Sequence, residues 1–407
     1  MKKTAVAAVL ILLSSIASLA GGDAQSKLDP ACSAINGKQF LAEVTKLASD
    51  EFEGRSPSSK GEALATNYLA ERFAAAGAGP GNPDGTYFQK VPLLTYKTDP
   101  HASLEFAVGA APEKLTFLDD FVAHTRRLVE HVDMTGDIVF VGYGVQAPEY
   151  NWDDTKGMDL RGKVLVMLVN DPPTADQKPF GGKAMTYYGR WTYKYEQAAR
   201  LGAAGVFIVH ETGPAGYPWE VVRNSWGGES FTMIGPDNNE GTCPVEGWIT
   251  ERAADELFHR AGTTYADAKR AAARADFKPM PLGGTARLSF DNTLRKVESR
   301  NVVALVEGTD PKLKKEYVVY CAHWDHLGID PSLPGDKIYN GAIDNATGAA
   351  GLIEIARAYA TLAKNGKGAK RSILFFSPTA EERGLLGSQY YCANPLYPLT
   401  KTVGVIN

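Results

Sequence analysis

The sequence has few cysteines, and none of them is arranged as in a cysteine zinc site. Only four occur among 407 residues, and no two stand in a C-x-x-C spacing. A zinc site built from cysteine is therefore unsupported. The four are Cys32, Cys243, Cys321 and Cys392. Outside the cytosol they allow three disulfide connectivities, and the sequence does not choose among them.

The sequence also lacks an excess of positive charge. Lys and Arg number 43 against 47 Asp and Glu, which gives a formal net charge of −4. Because nucleic-acid-binding proteins usually present a basic face, we expect no nucleic-acid partner. Hydrophobic residues at 44% and charged residues at 22% lie near the globular average, which excludes a disordered, collagen-like or coiled-coil chain. The length corresponds to about two domains.

The first apolar run is too short to span a membrane. Lys2 and Lys3 precede an apolar stretch at 5–13, and small residues follow it as far as Ala20. A membrane span needs about 20 apolar residues. The layout is instead typical of a secretory signal peptide cleaved after Ala20. We therefore predict a signal peptide at residues 1–20, a secreted or periplasmic protein, and no membrane attachment after cleavage.

The rest of the chain predicts an α/β domain with a β-rich insertion. Residues 37–77 have the periodicity of two helices, whereas short β-rich runs alternate with Gly/Pro loops through 136–278. From residue 301 onward, buried strands alternate with an amphipathic helix at 347–363. This alternation indicates a sheet with helices packed on it.

Residues with metal-binding chemistry follow the predicted strands. His323 follows one buried strand, Glu381 and Glu382 follow another, and Asp344 precedes the amphipathic helix. Taken alone, each has an explanation that needs no metal. The histidine could be structural, the adjacent glutamates could be a solvated surface, and the aspartate could cap the helix. Together they fall at the carboxyl ends of strands, where open α/β sheets gather ligands. Imidazole and carboxylate suit zinc, and one glutamate of a pair can bind metal while the other accepts a proton.

Three ordered motifs carry a family resemblance. HWDHLG at 323–328, NGAIDNATG at 340–348 and TAEE at 379–382 resemble the signatures of the secreted co-catalytic-zinc aminopeptidases, metallopeptidase family twenty-eight. The run LASDEFEGR at 47–55 resembles the usual opening of that family. Residues 136–278 are similar to its inserted protease-associated domain.

The resemblance implies a fold and a division into domains. The fold would be a mixed sheet sandwiched by helices, as in the zinc aminopeptidases. Residues 37–135 would form the N-terminal part of the peptidase domain, 136–278 the protease-associated insertion, and 279–407 the core of the zinc peptidase domain.

The resemblance also implies roles for five residues. His323 would bind one of two zinc ions, Asp344 would bridge both, and Glu382 would bind the other. Glu381 would be the general base for a water activated by the two metals. Asp325 would orient His323, the kind of support that metal-bound histidine commonly needs.

Three further expectations follow from the resemblance. The peptide bond after Asp344 would be cis, and His326 is interpreted as a structural or lining residue. The family has two more metal ligands, an Asp after the next strand and a later His. This sequence contains neither, because it ends at Asn407 inside what resembles that strand. We therefore expect a fragment whose sheet is incomplete at its C-terminal end.

The function expected from these features is that of a secreted zinc exopeptidase, an aminopeptidase that acts on the N-terminal residues of peptides. A catalytically incomplete fragment, a receptor-like binding protein of the same fold and a carboxypeptidase-type member remain alternatives. Glutaminyl cyclases share the catalytic fold of this family but usually lack the inserted domain. The presence of residues 136–278 therefore weighs against a cyclase. No G-x-S-x-G supports a serine hydrolase, and the G-x-G-x-x-A at 142–147 runs into Pro148 rather than a phosphate-binding helix.

Overall fold

A computed structural model describes most of the chain, namely residues 32–173, 180, 182, 184–235, 237–331 and 333–407. The predicted signal peptide at 1–20 lies outside the described residues. The chain forms two compact units, one containing residues up to Pro92 together with Val297–Asn407, and one formed by Leu93–Lys296. Among the described residues, no helix is both long enough and apolar enough to cross a membrane.

The secondary structure of the described residues is as follows. The α-helices are α1 (Gly37–Leu47), α2 (Lys60–Ala76), α3 (Trp191–Arg200), α4 (Thr212–Ala215), α5 (Trp219–Gly227), α6 (Glu251–Arg260), α7 (Tyr265–Ala272), α8 (Thr347–Lys364) and α9 (Leu386–Ala393). The strands are β1 (Gly79–Pro80), β2 (Phe88–Thr98), β3 (Ser103–Ala107), β4 (Glu113–Leu115), β5 (Phe121–His124), β6 (His131–Phe140), β7 (Gln146–Ala147), β8 (Trp152–Asp153), β9 (Val164–Leu168), β10 (Gly205–His210), β11 (Ser230–Met233), β12 (Glu246–Thr250), β13 (Met280–Val306), β14 (Tyr317–Cys321), β15 (Gly328–Ile329), β16 (Ile338–Tyr339), β17 (Ser372–Ser377) and β18 (Thr402–Ile406).

The first unit is built on a mixed sheet. Its strands lie in the order β18, β14, β17, β13. Strand β14 is parallel to β17 and β18, whereas the C-terminal part of β13 is antiparallel to β17. Along β17, Ile373 and Phe375 belong to one hydrophobic cluster, while Leu374 and Phe376 belong to another. Both faces are therefore covered, which explains why the strand is continuously apolar instead of alternating.

Helices cover both faces of this sheet. Leu47 of α1, Phe73 of α2 and Leu352 of α8 share a buried cluster with Phe375. On the opposite face, Tyr391 of α9 joins the other cluster. The predicted mixed sheet sandwiched by helices is confirmed.

The parallel pairing of β14 and β17 decides where the site forms. Their register sets Cys321 opposite Phe376, so the segments after both strands leave the sheet at the same edge. Between β14 and β17, a π-helical turn at Ala342–Ala346 leads into α8. The peptide bond between Asp344 and Asn345 in this turn is cis, as the resemblance implied.

The second unit has a mixed sheet of its own, in the order β13, β6, β9, β10, β12, β5. Strand β9 is parallel to β6 and β10, and β10 is parallel to β12, whereas β5 is antiparallel to β12. Because β5 pairs with β12, and β3 with β13, the unit extends beyond the predicted insertion at 136–278. That this insertion is a protease-associated domain stays a prediction.

The four cysteines, all of which lie in the described part of the chain, carry free thiols. Cys32 and Cys392 are exposed, Cys243 is buried and Cys321 is half-buried. None of the three possible disulfide connectivities is formed.

The glycine-containing run at 142–147 does not begin a phosphate-binding helix. It ends in strand β7, and a single 3-10 turn at Pro148–Tyr150 follows. The expectation from the sequence is confirmed, and the nucleotide-enzyme alternative loses its only support.

We expect Phe375→Ala to lower the free energy of unfolding by about 3–5 kcal/mol, because truncation leaves a cavity between the sheet and its helices. Phe375 has no exposed surface, whereas Val405 on β18 is 62% exposed. Val405→Ala is the matched control and should change stability by no more than about 0.5 kcal/mol. Urea unfolding followed by tryptophan fluorescence measures both, and equal losses would contradict the packing described.

Candidate functional site

The imidazole of His323 faces two carboxylates. Its Nε2 lies 3.0 Å from Oδ1 of Asp344 and 3.7 Å from Oε2 of Glu381. On the other side of the ring, Nδ1 lies 3.1 Å from the main-chain oxygen of Asp325. Because a carbonyl oxygen only accepts, this contact assigns the proton of the neutral ring to Nδ1. Nε2 then carries a lone pair that faces the Asp344 carboxylate. Because Nε2 and the carboxylate oxygen are both acceptors, a cation bound between them would coordinate both atoms.

A second imidazole lies on the same site. Nδ1 of His326 is 2.7 Å from Oε1 of Glu382. His326, Asp344 and Glu382 each place one potential ligand atom within 4.8 Å of the other two. The side chains of His326 and Glu382 are largely buried, but that of Asp344 is 64% exposed. The cluster is therefore open to solvent on the Asp344 side.

The side chain of Asp325 binds the main chain of the glutamate pair. Its fully buried carboxylate accepts the main-chain N–H groups of Glu381, at 3.1 Å, and of Glu382, at 3.4 Å. The same carboxylate is 3.8 Å from Nδ1 of His323, too far for a hydrogen bond. The atom of Asp325 that lies within hydrogen-bond distance of His323 is thus its main-chain oxygen. An orienting role for the carboxylate stays a prediction.

The two glutamates have different electrostatic environments. Burial, with the nearby carboxylates of Glu382 and Asp344, raises the pKa of Glu381. Burial alone would raise the pKa of Glu382, but the hydrogen bond and charge of His326, together with the charges of His323 and Arg383, lower it. Glu381 is therefore the better proton acceptor, and Glu382 is the carboxylate that stays ionised. The roles that the resemblance implied for the pair, base for Glu381 and metal ligand for Glu382, stay predictions.

The sequence analysis gave Arg55 no role, yet the structure buries it beneath the site. Its guanidinium donates hydrogen bonds to the main-chain oxygens of four residues: Leu47, Trp324, Asn340 and Gly341. Two of these belong to the segment that leads to Asp344, and one lies next to His323. Burial lowers the pKa of Arg55 to about 10, so the guanidinium remains charged at neutral pH.

Local sequence gives little indication of this role. The contacts of Arg55 join residues as far as 286 positions apart, so no periodicity reveals them. The available signal was the family-like run at 47–55, which ends on this arginine.

All five predicted site residues lie in one region of the chain, between His323 and Glu382. Residues 301–407 match the family model described as Peptidase family M28. The predicted resemblance is confirmed over these residues. The inserted protease-associated domain and secretion stay predictions.

Curated relatives and solved structures are also similar to this chain. Aminopeptidase NAALADL1 from Rattus norvegicus is 29% identical over 56% of this chain and 35% of its own length. The Mus musculus protein of that name is 28% identical over 67% of this chain and 38% of its own length. The chain thus spans about a third of the length of these relatives. An aminopeptidase structure from Aneurinibacillus sp. strain AM-1 has a TM-score of 0.49 and 20% identity, covering 92% of this chain and 70% of that one.

We expect Arg55→Lys to lower the free energy of unfolding by about 1–3 kcal/mol. A lysine ammonium cannot replace the planar guanidinium, which donates to four main-chain oxygens. Some of these buried oxygens would therefore lose their hydrogen-bond donor. Arg371→Lys is the control, because the side chain of Arg371 is 41% exposed and its Nε donates to the Glu316 carboxylate at 2.9 Å. That change should cost less than about 1 kcal/mol. Equal effects in urea unfolding would show that Arg55 does not organise the site.

Proposed function

We propose that the protein is a zinc-dependent aminopeptidase that removes N-terminal residues from peptides. One observation carries the proposal. Glu381, with a raised pKa, lies beside a cluster of histidine, aspartate and glutamate ligands in a segment that matches a peptidase family. The names of the curated relatives support the same reaction class.

The residues present fit a divalent cation such as zinc. His323, Asp344 and Glu382 supply imidazole and carboxylate donors, the ligand types that catalytic zinc sites use. When bound, zinc lowers the pKa of a water molecule and polarises a carbonyl group. We propose two ions per complete site, because Asp344 faces His323 and is also grouped with His326 and Glu382.

Glu381 performs the proton transfers. Its carboxylate accepts a proton from the water that attacks the scissile carbonyl, and it returns that proton to the amine as the C–N bond breaks. Asp325 holds the main-chain N–H of Glu381, which keeps the carboxylate at the site. A receptor-like protein would have no use for this base, so the site favours an enzyme over a binding surface.

We propose an aminopeptidase rather than a carboxypeptidase-type member because both curated relatives are named aminopeptidases. The charge of Asp344 does not decide between the two, since a carboxylate shared by two cations is neutralised by them.

We also propose that the protein is exported and that residues 136–278 are of the protease-associated type. The pattern of residues 1–20 supports the first statement, and the β-rich texture of the insertion supports the second. Protein sequencing of the secreted product should then begin at Gly21.

We expect Glu381→Gln to retain zinc but to lose about 10²–10⁴-fold in kcat, because the amide cannot accept the proton. Aminoacyl 4-nitroanilide hydrolysis and elemental analysis measure the two quantities. Glu307→Gln is the control, since Glu307 is 65% exposed and pairs with Lys314 on the surface. Near-wild-type turnover of Glu381→Gln would remove it from the mechanism.

We expect N-acetylation of the substrate to lower kcat/KM by roughly 10- to 100-fold, because it removes the free amino group that an aminopeptidase site must recognise. The comparison uses an aminoacyl 4-nitroanilide and its N-acetyl form under the same conditions. Equal rates would contradict selection of a free amino terminus.

A further inference from the structure

The two glutamates of the site lie on a short loop that runs from the end of β17 into the first turn of α9, residues 379–387, here called the glutamate loop. We propose that Asn301 is a positioning residue for Glu381, because its side-chain amide joins the two ends of this loop. Asn301 lies on β13, and the sequence analysis gave it no role. The inference rests on the proposed function in taking Glu381 as the base.

The amide of Asn301 contacts the two ends of the glutamate loop with its two different polar atoms. Oδ1 accepts the main-chain N–H of Thr379 at 3.0 Å, and Nδ2 donates to the main-chain oxygen of Gly387 at 3.0 Å. Thr379 and Gly387 also bond to each other, since the N–H of Gly387 donates to the carbonyl oxygen of Thr379 at 2.9 Å. Closing the loop in this way needs an acceptor and a donor on one planar group, which an amide supplies.

The amide is itself fixed in one orientation. The side chain of Asn301 is fully buried, and Nδ2 also donates to Oε1 of Gln89 at 3.0 Å. Turning the amide over would set its two N–H groups against the N–H of Thr379. Gly387 permits the close approach, since a Cβ there would come within 2.3 Å of Oδ1 of Asn301. The ends of the loop are therefore held by a side chain that has no freedom to rotate.

The main chain of the glutamate loop adopts conformations that need support. Ala380 has a φ of 51° and Leu385 a φ of 63°, in the left-handed region that residues other than glycine rarely adopt. Such conformations persist where the surrounding contacts hold them. Ala380 is fully buried and stands between Thr379, which Asn301 binds, and Glu381. The direction in which the chain presents Glu381 therefore depends on the residues that Asn301 holds.

The competing explanation is that Asn301 only stabilises the fold, as any buried hydrogen-bonded amide does. The loop would then be held by other contacts, such as that of the Thr379 hydroxyl with Oγ of Ser299 at 2.6 Å. The two explanations differ in what replacement of Asn301 does. A structural role predicts lower stability alone, whereas a positioning role predicts a lower kcat, because a shift of about 1 Å in the reacting geometry can cost about 10²-fold.

The first experiment measures kcat and KM for an aminoacyl 4-nitroanilide at saturating zinc. We expect Asn301→Ala to lower kcat by about 10–100-fold and to leave KM within about threefold of wild type. Ser372→Ala is the control. The buried hydroxyl of Ser372 makes two main-chain hydrogen bonds at the opposite end of β17, with Lys314 at 2.7 Å and Gly308 at 3.0 Å. This variant should lose stability but keep its kcat. An unchanged kcat in Asn301→Ala, or an equal loss in the control, would overturn the inference.

A double-mutant cycle tests whether Asn301 acts through Glu381. In the Glu381→Gln background, Asn301→Ala should lower kcat further by less than about threefold, because the base that it positions is already gone. The same loss in both backgrounds would show that Asn301 acts by another route and would overturn the inference. A zinc-loaded wild-type protein without turnover would instead overturn the proposed function, and the next measurement would then decide the role of Asn301.

Hydrogen–deuterium exchange tests the loop without zinc or substrate. In the zinc-free protein, we expect peptides that span residues 379–387 to exchange at least about tenfold faster in Asn301→Ala than in wild type, and Ser372→Ala to leave them unchanged. Unchanged exchange in Asn301→Ala would overturn the inference. If Asn301→Ala does not fold, Asn301→Ser takes its place with the same expected and contrary results, because a hydroxyl cannot bridge both ends of the loop.

Discussion

The guanidinium of Arg55 joins segments that are far apart in sequence, and the site depends on that connection. Main-chain oxygens of Trp324, Asn340 and Gly341 all accept its hydrogen bonds. The loops after β14 and before α8 are therefore held by one buried side chain, and the candidate ligands His323 and Asp344 lie on these loops. A guanidinium can do this because its donors form a rigid planar fork. Its positive charge also offsets the carboxylates gathered above it.

A single buried side chain also positions the glutamate pair. Asp325 holds the main-chain N–H groups of both glutamates, so adjacent residues are presented to the site in fixed positions. The pKa values of the two glutamates nevertheless differ in direction. Contact with His326 helps to lower the pKa of Glu382, whereas burial raises the pKa of Glu381. Two identical side chains can thus take different roles, one as ligand and one as base.

Much of the fold could be predicted from the sequence. The buried strands predicted from residue 301 onward are present, and α8, predicted at 347–363, extends one residue further, to Lys364. These elements are strongly patterned, and buried parallel strands have a continuous apolar signal. The extent of the second unit could not be predicted, because it depends on pairings such as β5 with β12. Pairing between strands so far apart in sequence leaves no local pattern.

The sequence by itself identified the candidate residues of the site, because motif identity and position after a strand are local properties. His323, Asp344, Glu381 and Glu382 were all found in this way. Only the tertiary structure decided which of these side chains contact one another. It pairs His326 with Glu382, directs His323 toward Asp344, and buries Arg55 under both loops. These contacts arise from the parallel register of β14 and β17 and from close packing at Gly341, and both are properties of the assembled sheet.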